Sequence, residues 1–182
     1  MSTKFSLRFD AVEIAEWASR YSYEDDSQLE QEIGPRSRAQ GYLTREDFLT
    51  LCRWKSARPQ KHCEHNSETD VRAVTAIALS TKDEKLRIDV LTALRGVEMR
   101  TASAILHFTA VDRYPIIDVR ALWSLGVEAP NWYGFGLWWS YTEFCRELAD
   151  NAHVSMRTLD RALWQFSNVH QKSATFERPL SK

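Results

Sequence analysis

Asp118 ends an apolar run, Tyr114-Pro115-Ile116-Ile117, and is its only carboxylate. A carboxylate held beside such a run stabilises a nearby positive charge well, because little water competes with it. Cleavage of an N-glycosidic bond is chemistry of that kind: positive charge builds on the sugar while the base departs. Asp118 is the candidate catalytic group, facing C1′ and orienting a water. Earlier in the chain, Leu94-Arg95-Gly96-Val97-Glu98-Met99-Arg100-Thr101-Ala102-Ser103-Ala104 reads as a tight glycine turn into an Ala-rich helix. Gly96 permits a positive φ or a crowded backbone position. The helix start beyond it directs unpaired amides outward, which suits a phosphate. Arg95 and Arg100 flank the turn as charge-assisted donors, with Glu98 and Thr101 in the same stretch. Plainer readings exist for both features. Asp118 also begins a helical pattern and serves as an N-cap worth about 1 kcal/mol; the glycine turn is equally a simple helical hairpin.

Other residues extend these two features. Lys55 and Arg58 follow Trp54 at a predicted helix end, where they hold a backbone phosphate or cap the helix C-terminus. Arg120, next to Asp118, pairs with a nucleic-acid backbone or with an acidic side chain. Trp54, Tyr42, Trp132 and Tyr133 are candidates for the flat wall of a base pocket, since bases stack on aromatic faces. Tyr42 or Gln40 is a candidate wedge for a vacated base stack. Arg36 and Arg38 are candidates to extend the basic face. His62, Cys63 and His65 invite a zinc reading, but no neighbour completes a ligand set, so no metal site is expected there. Glu13, Glu16, Asp70 and Asp89 are better explained as caps or surface charge.

Helices are the elements that must position these groups. Asp10-Ala11-Val12-Glu13 is a capping box, and Ile14, Trp17, Ala18 and Tyr21 continue one face. A short helix is expected over Asp25–Ile33, closed by Gly34-Pro35, with residues 34–41 as a polar loop. Thr44-Arg45-Glu46-Asp47 starts another helix, with Phe48, Leu51 and Cys52 inward. Residues 55–67 read as an exposed basic connection. Ser67, with Asp70 three residues on, caps a helix marked by Val71, Val74, Ile77 and Ala78. The next runs from Asp83 to Leu94 with Leu86, Val90 and Leu94 facing its partner, which is the helix Arg100–Phe108. A short helix follows from Asp118 to Leu125, stopped by Gly126. The last two cover about Leu137–Ala149 and Ser155–Phe166. Trp138, Trp139, Tyr141, Phe144, Leu159, Leu163 and Phe166 pack inward, with Trp164 joining them or the opposite edge. Strand signals are weak throughout. The expected fold is all-α, a two-lobed helical bundle around the hairpin at 83–110, forming one domain over 1–166 with a polar tail at 167–182.

Composition bounds the reading. The 182 residues suffice for one sizeable core. The formal charge of −1 argues against a non-specific polybasic binder but leaves room for a local basic face. Seven Trp, eight Phe and six Tyr supply large plates for a core, with some to spare for a flat ligand. Three scattered cysteines match neither a disulfide framework nor an iron–sulfur pattern. The N-terminus carries no signal-peptide pattern and no run is long enough for a membrane span. A cytoplasmic setting is the expectation.

The stretch Leu94–Leu106 resembles the hairpin of the helix-hairpin-helix DNA glycosylases, whose pattern is similar to Leu-Pro-Gly-Val-Gly, two variable positions, then Thr-Ala. Tyr114-Pro115-Ile116-Ile117-Asp118 resembles that family's apolar-Pro-apolar-apolar-Asp segment, nearest the adenine-mismatch branch. The spacing from Gly96 to Asp118 is also similar. The resemblance spans residues 83–125, with general helical similarity from 69. It implies a central helix-hairpin-helix motif, double-stranded DNA as partner, and excision of a flipped modified or mismatched base in DNA repair, with Asp118 as the essential acid. Two departures change the implication. Glu98 stands where the family has a second glycine, facing the expected phosphate; since family members hold a monovalent cation with hairpin carbonyls, Glu98 is also compatible with a cation there. Arg100 replaces the Schiff-base lysine of bifunctional members, and a permanently protonated guanidinium cannot act as an amine nucleophile. The resemblance therefore implies a monofunctional enzyme with no other cofactor. Two alternatives remain: a non-catalytic DNA-binding protein that keeps the hairpin, and a helical interaction module using its aromatic surface.

Overall fold

Side-chain caps start the helices largely where the sequence places them. In the capping box, the Asp10 side chain accepts from the backbone and Glu13 reaches back to the Asp10 N–H. Thr44, Ser67, Asp83, Asp118 and Ser155 each accept from a backbone amide two or three residues on. The structure, a computed structural model, describes residues 3–23 and 25–171. Among them are ten α-helices and no strand: α1 (Ile14–Ser19), α2 (Gly34–Gln40), α3 (Arg45–Lys55), α4 (Gln60–Cys63), α5 (Glu68–Ser80), α6 (Glu84–Leu91), α7 (Met99–Thr109), α8 (Val119–Ser124), α9 (Phe135–Asn151) and α10 (Met156–His170). No helix among the described residues is long and apolar enough to cross a membrane.

Helix α7 is the central element. It packs against α2, α3 and α6, and buries Ala102, Ala104, Ile105 and Leu106. Helix α10 lies along α1 and α8 and touches α9. Apolar residues of α1, α3, α6, α7, α8, α9 and α10 join a single core cluster. A charge network ties α10 to the N-terminal part of the chain: Arg157 pairs with Asp26, Glu30 and Asp160, and Arg161 with Asp26 and Glu30. Removing one member leaves another buried charge unpaired, which is the costly way to disturb such a network.

Several expectations are corrected. Residues 34–41 are helical, not a loop. A π turn over Leu29–Ile33, with the Gly34 N–H bonded to the Leu29 carbonyl, runs directly into α2. That wider turn lets the helix pass Pro35, which lacks an N–H and crowds the preceding turn. Gly34 serves a close crossing instead of a stop, because a Cβ there would lie 2.4 Å from the Phe108 carbonyl oxygen. The stop is Gly41, at φ +80°. Asp47 lends only its N–H to the Thr44 cap, while its carboxylate takes the Arg36 guanidinium. The segment 55–67 is not wholly exposed, since it forms α4 and buries Cys63 and Asn66.

Two helix faces are rotated from the expected ones. Leu86 is 48% exposed while Ile88 and Leu91 are buried, and on α5 Ile77 is exposed while Thr75 is buried. In both helices the i, i+3, i+4 pattern allowed two overlapping stripes, and packing against a neighbour chose between them. The residues after Phe166 are not frayed at first: α10 continues to His170, Ser167 is buried, and the His170 ring stacks on Phe166. Residues 172–182, the rest of the expected tail, lie outside the described residues.

His107 of α7 donates through Nδ1 to the Tyr114 carbonyl at 2.6 Å, anchoring the start of the apolar run that leads to Asp118. Burial pulls its imidazole below the usual value, against an opposing pull from Asp160. The neutral form is the one that fits, so this contribution is complete above the unfolded-state pKa of about 6.5 and erodes as pH falls below it. The thermal midpoint should therefore drop between about pH 7 and pH 5.5, and His107→Gln should flatten part of that drop.

Candidate functional site

Asp118 owes its position to both ends of its segment. Downstream it caps α8: Oδ1 accepts from the backbone N–H groups of Arg120 (3.0 Å) and Ala121 (2.9 Å). Upstream, the extended run is pinned inside the core. The Ile117 N–H donates to Ser103 Oγ (3.1 Å), the Ile116 N–H to Asp160 Oδ1 (3.3 Å), and the Tyr141 hydroxyl to the Ile116 carbonyl (3.0 Å). No freedom of register is left to the carboxylate. Its second oxygen, Oδ2, accepts from Lys55 Nζ at 3.0 Å. The Lys55 and Asp118 side chains are 12% and 18% exposed, so the pair is screened from bulk water yet open on one side.

Burial by itself would raise the Asp118 carboxyl. The Lys55 charge and the amides of Ala121 and Arg120 outweigh it and hold the group below the usual carboxylate range. Removing the ammonium reverses that balance. Lys55→Met is expected to raise the Asp118 pKa, read from the side-chain carboxyl resonance across an acid titration; an unmoved titration would show that the amides alone set it.

The open side of the pair faces a cavity of about 840 Å³. Its lining includes the end of α3 with Trp54 and Lys55, Arg58 just beyond it, the turn from Thr92 to Val97 and the start of α7. Tyr21, Tyr23, Trp54 and Trp164 bring aromatic side chains to the lining. Tyr23 meets Trp54 edge-on at 5.6 Å and Trp164 at 5.1 Å between centroids, and the Arg120 guanidinium lies 5.0 Å over the Trp164 ring. Burial pushes the Tyr21 phenol, also in this wall, up to about 12, with Arg157 opposing.

The Gly96 turn is built by packing as much as by conformation. Gly96 has φ +80°, and a Cβ on it would meet Cys63 Sγ at 2.7 Å, with Cys63 N and Pro59 O at 3.0 Å. Asn66, 6% exposed, clamps the neighbouring residue: its Oδ1 accepts from the Arg95 N–H (2.8 Å) and its amide donates to the Arg95 carbonyl (2.9 Å). Glu98 starts α7 without a side-chain cap. Its carboxylate is exposed and lies 3.5 Å from the Arg100 guanidinium. The acid expected to face a phosphate is thus partnered by an arginine two residues on, in the first turn of the helix.

Ten of the residues singled out from the sequence line this one cavity: Asp118, Lys55, Arg58, Trp54, Arg95, Gly96, Glu98, Arg100, Thr101 and Arg120. The others do not. Tyr42 lies beneath the Arg72 guanidinium at 4.8 Å, on the outer side of α5, and Gln40 is spent on the Tyr42 carbonyl. Trp132 is 77% exposed, its ring folded over Gly134. Tyr133 stands at the margin, 5.6 Å from the Arg100 guanidinium but outside the cavity wall. Arg36 is bound to Asp47, and Arg38 donates to the Phe108 carbonyl, so neither extends the basic face of the cavity.

Sequence reasoning missed Tyr23, Asp160 and Asn66, and it named Tyr21 only as part of a helix face. Trp164 was legible only as one of two options, and it takes the edge opposite Leu159 and Leu163. Nothing near Asn66 in sequence signals its clamp, because its partner is Arg95. Among the described residues no group of three or more His, Cys, Asp or Glu side chains is placed to hold a metal ion. Compared with known proteins, this chain matches no family model, no curated protein and no solved structure.

Proposed function

We propose that the protein is a DNA N-glycosylase that hydrolyses the glycosidic bond of an everted modified or mismatched base, with Asp118 as its catalytic carboxylate. The observation that supports this reading is that Asp118, the Gly96 turn and several aromatic side chains line one cavity. Arg95, Arg100 and the free amides at the start of α7 would take the phosphates flanking the target nucleotide. The base, swung out of the stack, would lie against Trp54, Tyr23 or Trp164. Its C1′–N bond then breaks, the bonding electrons leaving with the base. Charge developing on the sugar is met by the Asp118 carboxylate, a water adds to C1′ and passes its proton to that carboxylate, and the departed base anion takes a proton from solvent. A monovalent cation at the turn is not part of the proposal, since the Leu94 and Arg95 carbonyls already accept bonds from the Val97 N–H and the Asn66 amide.

One observation favours a second reading, a DNA-binding protein without chemistry: both oxygens of Asp118 already have partners. The two readings separate on a panel of duplexes carrying single modified or mismatched bases, treated with hot alkali after incubation. Strand breaks at the lesion are expected for one base class. Salt-sensitive duplex binding with no abasic product across the panel would overturn the enzyme reading and leave the binding one.

A further inference from the structure

The acids that line the cavity are already spent: Asp118 on Lys55, Glu98 on Arg100 and Asp160 on Arg157. The cations of the lining are not all so engaged. Arg58, His62 and Arg95 belong to it, and among the described residues none of their side chains has a hydrogen-bond or ion-pair partner. Packing gathers these three at one edge. A Cβ on Gly96 would meet the Pro59 carbonyl oxygen and the Cys63 sulfur, and Arg95, Arg58 and His62 are the chain neighbours of the three residues in that contact. All three are exposed, while the more sheltered part of the lining is aromatic, with Trp54 buried and Tyr21, Tyr23 and Trp164 half-buried.

We infer that the cavity binds a free nucleoside monophosphate, with its phosphate among Arg58, His62 and Arg95 and its base against the aromatic rings. The two regions match the two ends of such a molecule. Guanidinium groups take phosphate oxygens through paired, charge-assisted hydrogen bonds, and a base stacks on aromatic faces. The volume of about 840 Å³ falls within the span of small-molecule sites, roughly 300–1,000 Å³. A formal charge of −1 gives the chain no general excess of positive charge, so a ligand with a single phosphate group suits one unpaired basic edge. This binding goes beyond the glycosylase reading, since it needs neither a duplex nor a broken bond.

The test is calorimetry on the full chain with deoxyadenosine 5′-monophosphate, whose purine offers a large face, and with deoxyadenosine and inorganic phosphate as separate arms. The nucleotide should bind at least about tenfold more tightly than either fragment. Arg58→Gln and Arg95→Gln, both at exposed side chains, should each weaken the nucleotide about tenfold and leave the deoxyadenosine arm unchanged. Arg72→Gln, on the outer side of α5, should alter neither. The indole N–H resonances of Trp54 and Trp164 should shift with the nucleotide and stay in place with inorganic phosphate. No saturable binding of the nucleotide, equal affinity for either fragment, unmoved indole resonances, or full affinity in both folded glutamine variants each overturns the inference. Nucleotide binding without base release from any duplex would sink the glycosylase reading alone; base release without nucleotide binding would sink this inference alone.

Discussion

Asp118→Asn should lower single-turnover base release by about 10²–10³-fold, the loss found when one preorganised electrostatic group is removed from a reacting centre. The substitution is chosen because asparagine caps a helix about as well as aspartate. The bonds from the Arg120 and Ala121 amides are thereby kept, and α8 should start at the same residue. The charge is what disappears, and with it the partner of Lys55. Duplex affinity should hold or tighten slightly, because one negative charge leaves a cavity lined by Lys55, Arg58 and Arg120. Turnover within a few-fold of the natural chain, in a variant that still melts cooperatively, removes Asp118 from the chemistry and reduces it to a cap.

Gly96→Ala should destabilise the fold by about 4 kcal/mol, from two sources that add. A non-glycine residue held at positive φ costs about 1–3 kcal/mol, and overpacking a filled site costs about 1–3 kcal/mol more. Both apply, since φ is +80° and the new methyl would sit 2.7 Å from the buried Cys63 sulfur and 3.0 Å from two backbone atoms. Backbone does not yield as a flexible side chain does, so relief requires α4 to move away from the turn. Urea unfolding gives the number directly. A loss below about 1 kcal/mol would mean that α4 is loosely held and that the glycine serves the turn alone.

Local signals were legible wherever one residue acts on its near neighbours. The caps at Asp10, Thr44, Ser67, Asp83, Asp118 and Ser155, and the glycine stop at Gly126, are short-range effects that a sequence states directly. Pro35 was misleading because the π turn that accommodates it depends on Gly34 crossing Phe108. Leu86 and Ile77 were misassigned because an amphipathic stripe has breadth, and only a neighbouring helix selects which edge is covered.

Composition and periodicity alone were enough to make this an all-helical chain, while Asp118, Gly96 and their basic flanks stood out through short runs of residue types and their resemblance to a known hairpin, since each depends on groups a few positions apart. Their convergence on one cavity was a matter of tertiary structure. So were the ion pair that holds Asp118 ionised, the Asn66 clamp on Arg95, and the rejection of Tyr42 and Trp132 from the aromatic wall. Those contacts join residues tens of positions apart, and the free energy of bringing such groups together comes from the whole core, which no local stretch of sequence contains.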